Sequence, residues 1–327
     1  MKSKILLILI IFFIFVSSCA RFSASDAYLY IPELYHKSGV EAYDNGNIKA
    51  ALHLAKAACD NYSYEDCNLL GKLYLEGRYL DKSYNKAASY FNKGCIGKNG
   101  YSCLYMGDMY NTGFGVRQSD KKRDEYYKQA FDIFFQECND NISQGCRGLG
   151  ESYLLGYLED PYEECANYLK KACDKKDDKS CLILADYYFY KADNKSEAFT
   201  YYKAACTNHN SQGCMKLLDM YNRDKSKNIK ETSPILTKAD KMCKSGASNL
   251  CFYLGDMYRN YSRISKINSE KSFDYIRYSC EFNHPYGCKV LGDMYSTGFG
   301  VEENDGSAKS YYYKACQLGF SAACNNQ

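Results

Sequence analysis

The 327-residue sequence contains no tryptophan, only four prolines and only four histidines. With so few prolines and no linker-like run, it shows no sign of a domain boundary within residues 28–324. The small number of histidines argues against zinc sites, and no metal or cofactor is expected. The sequence also has no large excess of positive over negative charge, because its formal net charge is only +3. This near-neutral balance argues against nucleic acid as a partner.

Cysteine, in contrast, is abundant. Of the eighteen cysteines, sixteen form eight pairs in which a second cysteine follows the first by eight residues. The pairs are Cys59/Cys67, Cys95/Cys103, Cys138/Cys146, Cys173/Cys181, Cys206/Cys214, Cys243/Cys251, Cys280/Cys288 and Cys316/Cys324. The first cysteines of successive pairs are 33 to 43 residues apart, which is the length of a two-helix unit in a solenoid.

Two cysteines eight residues apart cannot meet within one helix. Eight residues of helix rise about 12 Å, whereas a disulfide needs a Cα separation below roughly 7 Å. The residues between the cysteines include turn formers, as in Ser211–Gly213 and Pro285–Gly287. The sequence therefore predicts eight disulfides, each joining the end of one unit's second helix to the start of the next unit's first helix, in a protein outside the cytoplasm.

Two cysteine questions stay open at this level. Zinc binding is the alternative to disulfides, and the spacing of Cys206 and His209 is compatible with it. Cys165 lies eight residues before Cys173, which is already assigned to Cys181, and it stands where other units carry alanine. We predict that it fills a small-residue packing position as a buried thiol; the alternative is a reactive thiol or an intermolecular bridge.

Each second cysteine begins a predicted helix with residues at fixed offsets. Leucine or methionine stands three residues later, glycine, alanine or leucine four residues later, and tyrosine seven residues later. Offsets of three, four and seven predict one buried helical face. Glycine in mid-helix predicts close approach of a neighbouring helix. The extra seven residues between Cys95 and Cys138 predict a longer second helix in that unit.

The N-terminus has the features of an export signal. Lys2 and Lys4 precede an apolar run over Ile5–Val16, and Val16–Cys19 resembles the lipobox of bacterial lipoproteins. We predict a lipoprotein signal peptide at residues 1–18, a leader at 19–27, and a repeat array of about eight hairpins at 28–327. Lipidation of Cys19 would be the only membrane attachment, and removal of the signal would lower the formal net charge to +1. The alternative is ordinary cleavage after Ala20.

Several motifs together resemble the Sel-one-like (SLR) repeats. They are the L-G-D-M-Y helix at 291–295, the T-G-F-G-V turn at 297–301, the Y-Y-x-K-A-C helix at 311–316 and the fixed cysteine spacing. More narrowly, the chain resembles the disulfide-rich Helicobacter cysteine-rich protein family. This resemblance implies an all-α fold, a right-handed α/α solenoid of disulfide-bridged hairpins similar to tetratricopeptide arrays. It also implies binding of peptides or host proteins, and the family's label of penicillin-binding protein or weak β-lactamase.

The β-lactamase label is the second functional hypothesis, with catalytic residues unassigned. Ser83–Lys86 and Ser119–Lys122 match the S-x-x-K motif of serine β-lactamases, and Lys37–Gly39 and Lys244–Gly246 match the K-S-G motif. These matches fall in unrelated units, and an all-helical chain has no strand for the K-S-G motif. The hypothesis of β-lactam hydrolysis therefore depends on the family resemblance alone.

If the array resembles tetratricopeptide repeats, the residues one and five positions after each second cysteine project onto its concave face. The fifth positions include the acids Asp108, Glu151, Asp186, Asp219, Asp256 and Asp293, and the first positions include Leu104, Leu182, Met215 and Phe252. We predict a groove that binds a basic or amine-bearing peptide, from a protein or from peptidoglycan.

Two alternatives remain for this face. The acids could form a solvated helix surface or pair with lysines on adjacent helices, and the protein could be an envelope spacer without a tight ligand. The predicted location is the periplasm, the outer membrane or cell surface as a lipoprotein, or the medium as a secreted protein.

Overall fold

The computed structural model describes residues 48–77, 80–157, 162–223, 232–260, 264 and 267–325. The predicted export signal, the leader, Cys19 and the first helix of the first hairpin lie outside these residues. Within them the chain forms fifteen α-helices and one short 3-10 helix, with no β-strand. The predicted all-α class of disulfide-bridged helical hairpins is confirmed. No described helix is long and apolar enough to cross a membrane.

The helices follow the cysteine pairs along the chain. They are α1 Ile48–Asp60, α2 Tyr64–Glu76, α3 Tyr84–Ile96, α4 Gly100–Thr112, α5 Asp120–Asn139, α6 Ser143–Leu154, α7 Tyr162–Asp174, α8 Asp178–Tyr190, α9 Lys195–Thr207, α10 Ser211–Arg223, α11 Thr232–Lys244, α12 Ser248–Arg259, α13 Ser269–Glu281, α14 Pro285–Thr297 and α15 Asp305–Gln317, followed by the 3-10 helix Ser321–Asn325. Even-numbered helices are the first helices of repeats, and each packs with the odd-numbered second helix that follows it. At 20 residues, α5 is longer than the others, as the cysteine spacing predicts.

The described chain forms two compact units, divided between Gln136 and Glu137. In the first unit, Phe91 and Met106 belong to a core cluster formed by α3 and α4. In the second unit, a larger cluster is built around Tyr202, Leu217 and Leu254. The single array that the sequence predicts over residues 28–327 stays a prediction.

All eight predicted cysteine pairs are disulfides in the structure, with Cα–Cα distances of 4.4 to 4.9 Å. The bridges join Cys59 with Cys67, Cys95 with Cys103, Cys138 with Cys146, Cys173 with Cys181, Cys206 with Cys214, Cys243 with Cys251, Cys280 with Cys288, and Cys316 with Cys324. These sixteen cysteines are therefore not available as zinc ligands. By loop-closure entropy, a loop of this length contributes about 2.5 kcal/mol to the free energy of unfolding.

The position of the second cysteines corrects one detail of the prediction. The sequence pattern predicts that each of them begins a helix. In the structure each is the fourth residue of its helix, because the turn is shorter than the cysteine spacing. The second cysteines that lie on α-helices are Cys67, Cys103, Cys146, Cys181, Cys214, Cys251 and Cys288, and all seven are fully buried. The last one, Cys324, lies on the 3-10 helix and is half-buried. The final bridge thus joins α15 to a 3-10 helix.

The eight bridged turns share one backbone conformation. The third residue after each first cysteine has a left-handed φ, between 60° and 109°. These residues are Tyr62, Lys98, Asn141, Lys176, His209, Gly246, Asn283 and Gly319. A single left-handed residue reverses the chain, so that the next helix begins within reach of the disulfide.

The glycine four residues after a second cysteine has the packing role that the sequence predicts. A Cβ atom on Gly107 would lie 2.2 Å from Tyr127 Cε1, and one on Gly292 would lie 2.6 Å from Tyr312 Cε1. Both tyrosines belong to the second helix of the same hairpin. Glycine is needed here because the ring of the partner helix occupies the space of a side chain.

The tyrosines seven residues after the second cysteines are less buried than the sequence predicts. Only Tyr221 is fully buried, while the others are half-buried. Six of them stack face to face on a tyrosine of the following helix, with ring centroids 5.4 to 6.0 Å apart. The stacked pairs are Tyr74/Tyr90, Tyr110/Tyr126, Tyr153/Tyr168, Tyr188/Tyr201, Tyr258/Tyr275 and Tyr295/Tyr311. These rings pack at the partly exposed edge of the contact between the two helices of a hairpin, and do not fill its core.

Candidate peptide-binding surface

The first helices of the repeats carry the predicted acidic residues at one common position. In the second unit these are Glu151 on α6, Asp186 on α8, Asp219 on α10, Asp256 on α12 and Asp293 on α14, which we call the acidic ridge. Asp108 occupies the same position on α4 of the first unit. All six are half-buried, so each carboxylate touches both protein and solvent.

The register of these helices is set by their N-caps. In several repeats, the residue four positions before the second cysteine accepts a hydrogen bond from the backbone N–H three residues later. These caps are Asn99, Asp177, Asn210 and His284. Because the cap and the disulfide fix the start of each helix, the fifth position after the cysteine is an equivalent position on each of these helices.

Three of the six acids accept a hydrogen bond from a tyrosine on the second helix of their own hairpin. Tyr127 donates to Asp108 at 2.7 Å and Tyr312 donates to Asp293 at 3.0 Å. Tyr202 donates to Asp186 in the same way. A hydroxyl donor fixes the orientation of a carboxylate without removing its negative charge.

The protonation state of Tyr202 supports this description. Burial raises the pKa of Tyr202 above its ordinary value, and the hydrogen bond to Asp186 raises it further. The phenol therefore stays protonated at neutral pH, and it can only donate to the carboxylate.

Cationic side chains also contact the ridge. Arg223 lies 3.0 Å from Asp219, Arg259 lies 2.7 Å from Asp256, and Lys289 lies 2.6 Å from Asp293. In each of these three pairs, both residues belong to the same helix. The pair of Lys216 with Asp186, at 3.9 Å, instead joins two neighbouring first helices. The alternative of paired acids is therefore part of the observed arrangement.

The ion pairs leave the ridge accessible. The side chains of Asp186, Asp219, Asp256 and Asp293 are 37, 38, 42 and 36% exposed, respectively. Exposed pairs of this kind contribute about 0–1 kcal/mol. A ligand cation can therefore replace the intramolecular partner at little cost.

The predicted apolar positions differ in accessibility. Leu104 is buried, with 6% exposure, and belongs to the interior of the first unit, so it does not offer a contact surface. Leu182, Met215 and Phe252 are half-buried beside the ridge. They can contact a ligand with the part of the side chain that is exposed.

An aromatic row continues from Phe252 along the start of the last repeats. The ring of Phe252 stacks on His284 with centroids 5.0 Å apart and lies 5.2 Å from Tyr286. Tyr286 in turn contacts Phe320 at 5.3 Å. The sequence pattern does not single out His284, Tyr286 or Phe320 as candidate contact residues, because the bridged turns are predicted from it only as chain reversals.

The S-x-x-K matches are helix N-caps. The Ser83 hydroxyl accepts from the Lys86 backbone N–H at 3.4 Å, and Ser119 accepts from Lys122 at 3.3 Å. The ammonium groups lie over tyrosine rings, at 5.1 Å from the Tyr74 centroid and 5.0 Å from the Tyr110 centroid. The serine and lysine side chains are thus engaged separately and do not form a nucleophile and base pair.

The K-S-G matches have no strand context either. Residues 244–246 comprise the last residue of α11 and the turn that follows it, and Lys244 pairs with Asp240 on its own helix. Residues 37–39 lie outside the described residues. No observation on the described residues therefore supports a serine hydrolase site.

Cys165 is the free thiol of the described residues, and it is fully buried. It packs in a cluster with Leu169 and Leu184, as the predicted packing position requires. Burial raises the pKa of the thiol to about 11. A buried, protonated thiol is a poor nucleophile, so the reactive-thiol alternative is not supported.

Comparisons with known proteins agree with this architecture. The Sel1 repeat model matches residues 65–98, 100–131, 143–177, 179–210 and 285–320, which together exceed half of the chain. A Xenopus tropicalis protein, cytochrome c oxidase assembly factor 7, is 24% identical over 222 residues, covering 61% of this chain and 91% of that protein.

Two solved structures are also similar to parts of this chain. The protective antigen c5321 of uropathogenic Escherichia coli, which displays an SLR fold, is 18% identical with a TM-score of 0.49, covering 92% of this chain and 72% of that chain. Helicobacter pylori cysteine rich protein B is 30% identical with a TM-score of 0.32, covering 40% of this chain and 92% of that chain. The eight disulfides indicate an oxidising environment outside the cytoplasm.

Proposed function

Because this chain belongs to the Sel1 repeat family, whose repeats generally mediate protein–protein interactions, we propose that it is an exported scaffold that binds an extended basic segment along the acidic ridge. The observation that carries the proposal is the common position of the ridge carboxylates, which are oriented by neighbouring side chains yet remain more than a third exposed in four repeats.

The proposed ligand follows from the chemistry of this surface. A lysine or arginine side chain of the ligand would meet a carboxylate such as Asp219, and an adjacent aliphatic side chain would pack on Leu182 or Met215. Because the repeats place equivalent groups at regular intervals, an extended peptide fits better than a compact small molecule. An amine-bearing peptide derived from peptidoglycan is a narrower form of the same proposal.

Export and anchoring are part of the proposal. The N-terminal features at residues 1–18 and the eight disulfides both favour a protein of the bacterial periplasm, outer membrane or cell surface. We expect the mature chain to begin at a lipidated Cys19. Mass spectrometry of the mature N-terminus tests this, with Cys19→Ser as the variant that should lose the lipid; an unmodified N-terminus after Ala20 would contradict it.

Site-directed photo-crosslinking tests the ridge as the binding surface. The photoreactive amino acid p-benzoylphenylalanine is placed at Met215, beside the ridge, or at Thr200, which is exposed on the second helix α9. A biotinylated peptide of alternating lysine and leucine should crosslink to position 215 and not to position 200. Equal labelling at both positions, or equal labelling by a peptide with glutamine in place of lysine, would contradict the proposal.

A further inference from the structure

A cavity of about 570 Å³ lies in the second unit, between the α9–α10 turn and α11. Its basic lining consists of His209, Lys238 and Lys241, of which the two lysines carry the positive charge, and its apolar lining includes Pro234, Met242 and Ala247. We call it the cationic cavity. None of its described lining residues is acidic, and none belongs to the acidic ridge.

One lysine of this cavity, Lys241, does not make the helix-capping contact that the equivalent lysine makes in other repeats. In three repeats, the lysine two residues before the first cysteine reaches back to the C-terminal end of the preceding second helix. Lys93 contacts Asp60 at 2.9 Å, Lys171 contacts the Cys138 carbonyl at 3.0 Å, and Lys314 contacts the Cys280 carbonyl at 2.8 Å. Such a cation stabilises the negative end of the helix.

In α11 a different lysine makes this contact. Lys238 Nζ donates to the Thr207 carbonyl, at the end of α9, at 2.6 Å. Lys241 stands two residues before Cys243, at the position of the three capping lysines, yet its ammonium has no side-chain hydrogen bond or ion pair with any described residue. The repeat therefore has a second cation at this place, and that cation lines the cavity.

The neighbouring turn adds a third nitrogen. His209 has a left-handed backbone with φ 72°, and its N–H donates to the Cys206 carbonyl at 3.1 Å. This places His209 Nε2 3.4 Å from Lys238 Nζ. The helix-capping contact and the bridged turn hold these two groups in place, so that little ordering is needed when a ligand binds.

We propose that the cationic cavity is a second binding site, which takes an acidic side chain of a peptide between Lys238 and Lys241 and an adjacent aliphatic side chain against Pro234 and Met242. A carboxylate can accept several hydrogen bonds from cationic donors at once. The cavity has the volume of a ligand pocket and one apolar wall, and it is therefore larger and less polar than a site for a single small anion requires.

A peptide-binding measurement on the oxidised mature chain tests this inference. The probe is a fluorescein-labelled, C-terminally amidated peptide of alternating leucine and glutamate, and binding is followed by fluorescence anisotropy. Lys241→Gln should weaken binding at least about tenfold, which is the lower end of the range for one lost charge-assisted hydrogen bond. Lys244→Gln is the matched control, because Lys244 is on the same helix and does not line the cavity; it should bind like the wild type.

Further outcomes separate this site from the acidic ridge and from a simple anion site. Asp219→Asn should leave binding of the acidic peptide unchanged, so failure of the ridge proposal and failure of this one can be told apart. Wild-type affinity in Lys241→Gln, or equal binding of a leucine–glutamine peptide, would overturn the inference. Binding of inorganic phosphate without binding of the peptide would also overturn it, in favour of a small-anion site.

Discussion

Tyr312 on α15 donates its hydroxyl hydrogen to Asp293 on α14, 3.0 Å away. This contact joins the two helices of one hairpin through a carboxylate that is still 36% exposed. The same relationship connects Tyr202 with Asp186 in another repeat. One hydrogen bond therefore contributes both to hairpin stability and to the orientation of a surface charge.

Removal of this hydroxyl should destabilise the hairpin. Tyr312→Phe keeps the ring that packs on Gly292 but loses the hydrogen bond, and we expect the free energy of unfolding to fall by about 1 kcal/mol. Urea unfolding of the oxidised protein measures this. Tyr313→Phe is the matched control, because Tyr313 is adjacent and 52% exposed; an equal loss in both variants would contradict the role of the Asp293 contact.

A histidine cap should make stability depend on pH. His284 Nδ1 accepts from the Gly287 N–H at 2.9 Å, and burial lowers the pKa of His284 below its ordinary value of 6.5. Because the pKa is lower in the folded state, the contribution of the cap is present above pH 6.5 and is lost as the pH falls through the lower, folded-state value. Protonation removes the acceptor and places a positive charge at a helix N-terminus.

Replacement of this histidine tests the pH effect. His284→Asn should retain the cap, since Asn99 and Asn210 cap the equivalent helices, and the melting temperature should then fall less between about pH 6.5 and pH 5. His53→Asn, at an exposed position on α1, should keep the pH profile of the wild type. An unchanged acid-side slope in His284→Asn would show that the cap does not titrate.

Left-handed residues in the bridged turns offer sites for stabilisation. Lys98 and Lys176 have φ values of 62° and 65°, a conformation that costs a residue with a side chain about 1–2 kcal/mol. Lys98→Gly or Lys176→Gly should therefore raise the free energy of unfolding, by up to about 1 kcal/mol after the entropic cost of glycine. Differential scanning calorimetry measures the change.

The reverse substitution is the control for this effect. Gly246 has a φ of 109°, and a Cβ at this position would meet no atom within 4 Å. Gly246→Ala should therefore lower stability through backbone strain alone. If Lys98→Gly and Gly246→Ala both proved neutral, the left-handed turn would carry no measurable strain.

The capping serines should affect stability and not β-lactam chemistry. Ser83→Ala and Ser119→Ala each remove an N-cap acceptor and should cost about 1 kcal/mol, while Ser89→Ala, at an exposed position within α3, should cost less. Nitrocefin hydrolysis and covalent penicillin labelling should be the same in all three variants and the wild type. Loss of labelling in Ser83→Ala or Ser119→Ala alone would instead identify a nucleophile.

The sequence was sufficient for features that depend on local spacing. The eight-residue offset predicts the bridge from Cys280 to Cys288, because no other conformation than a turn brings the two together. Glycine in mid-helix predicts a close neighbour, and at Gly292 that neighbour is Tyr312. The longer α5 follows from the extra residues between two cysteines.

Contacts between helices could not be predicted, because they depend on how the two helices of a hairpin are aligned. The tyrosine that donates to Asp186 follows it by 16 residues, whereas the tyrosine that donates to Asp293 follows it by 19 residues. The difference arises from the length of the turn between the two helices of each hairpin. The positions of Lys238 and Lys241 are a second case. The sequence shows a lysine at the usual capping position, and only the structure shows that its neighbour makes the contact.

The affinity of a basic peptide for charge-neutralised variants tests the central claim most directly. Isothermal titration calorimetry with a lysine–leucine peptide should show binding at least about tenfold weaker, and less dependent on salt, in the triple variant Asp186→Asn, Asp219→Asn, Asp256→Asn. The control triple variant, with the same change in net charge at exposed positions outside the ridge, is Asp174→Asn, Asp193→Asn, Asp305→Asn. The account predicts that the control binds within about twofold of the wild type; equal affinities for the two triple variants would contradict it.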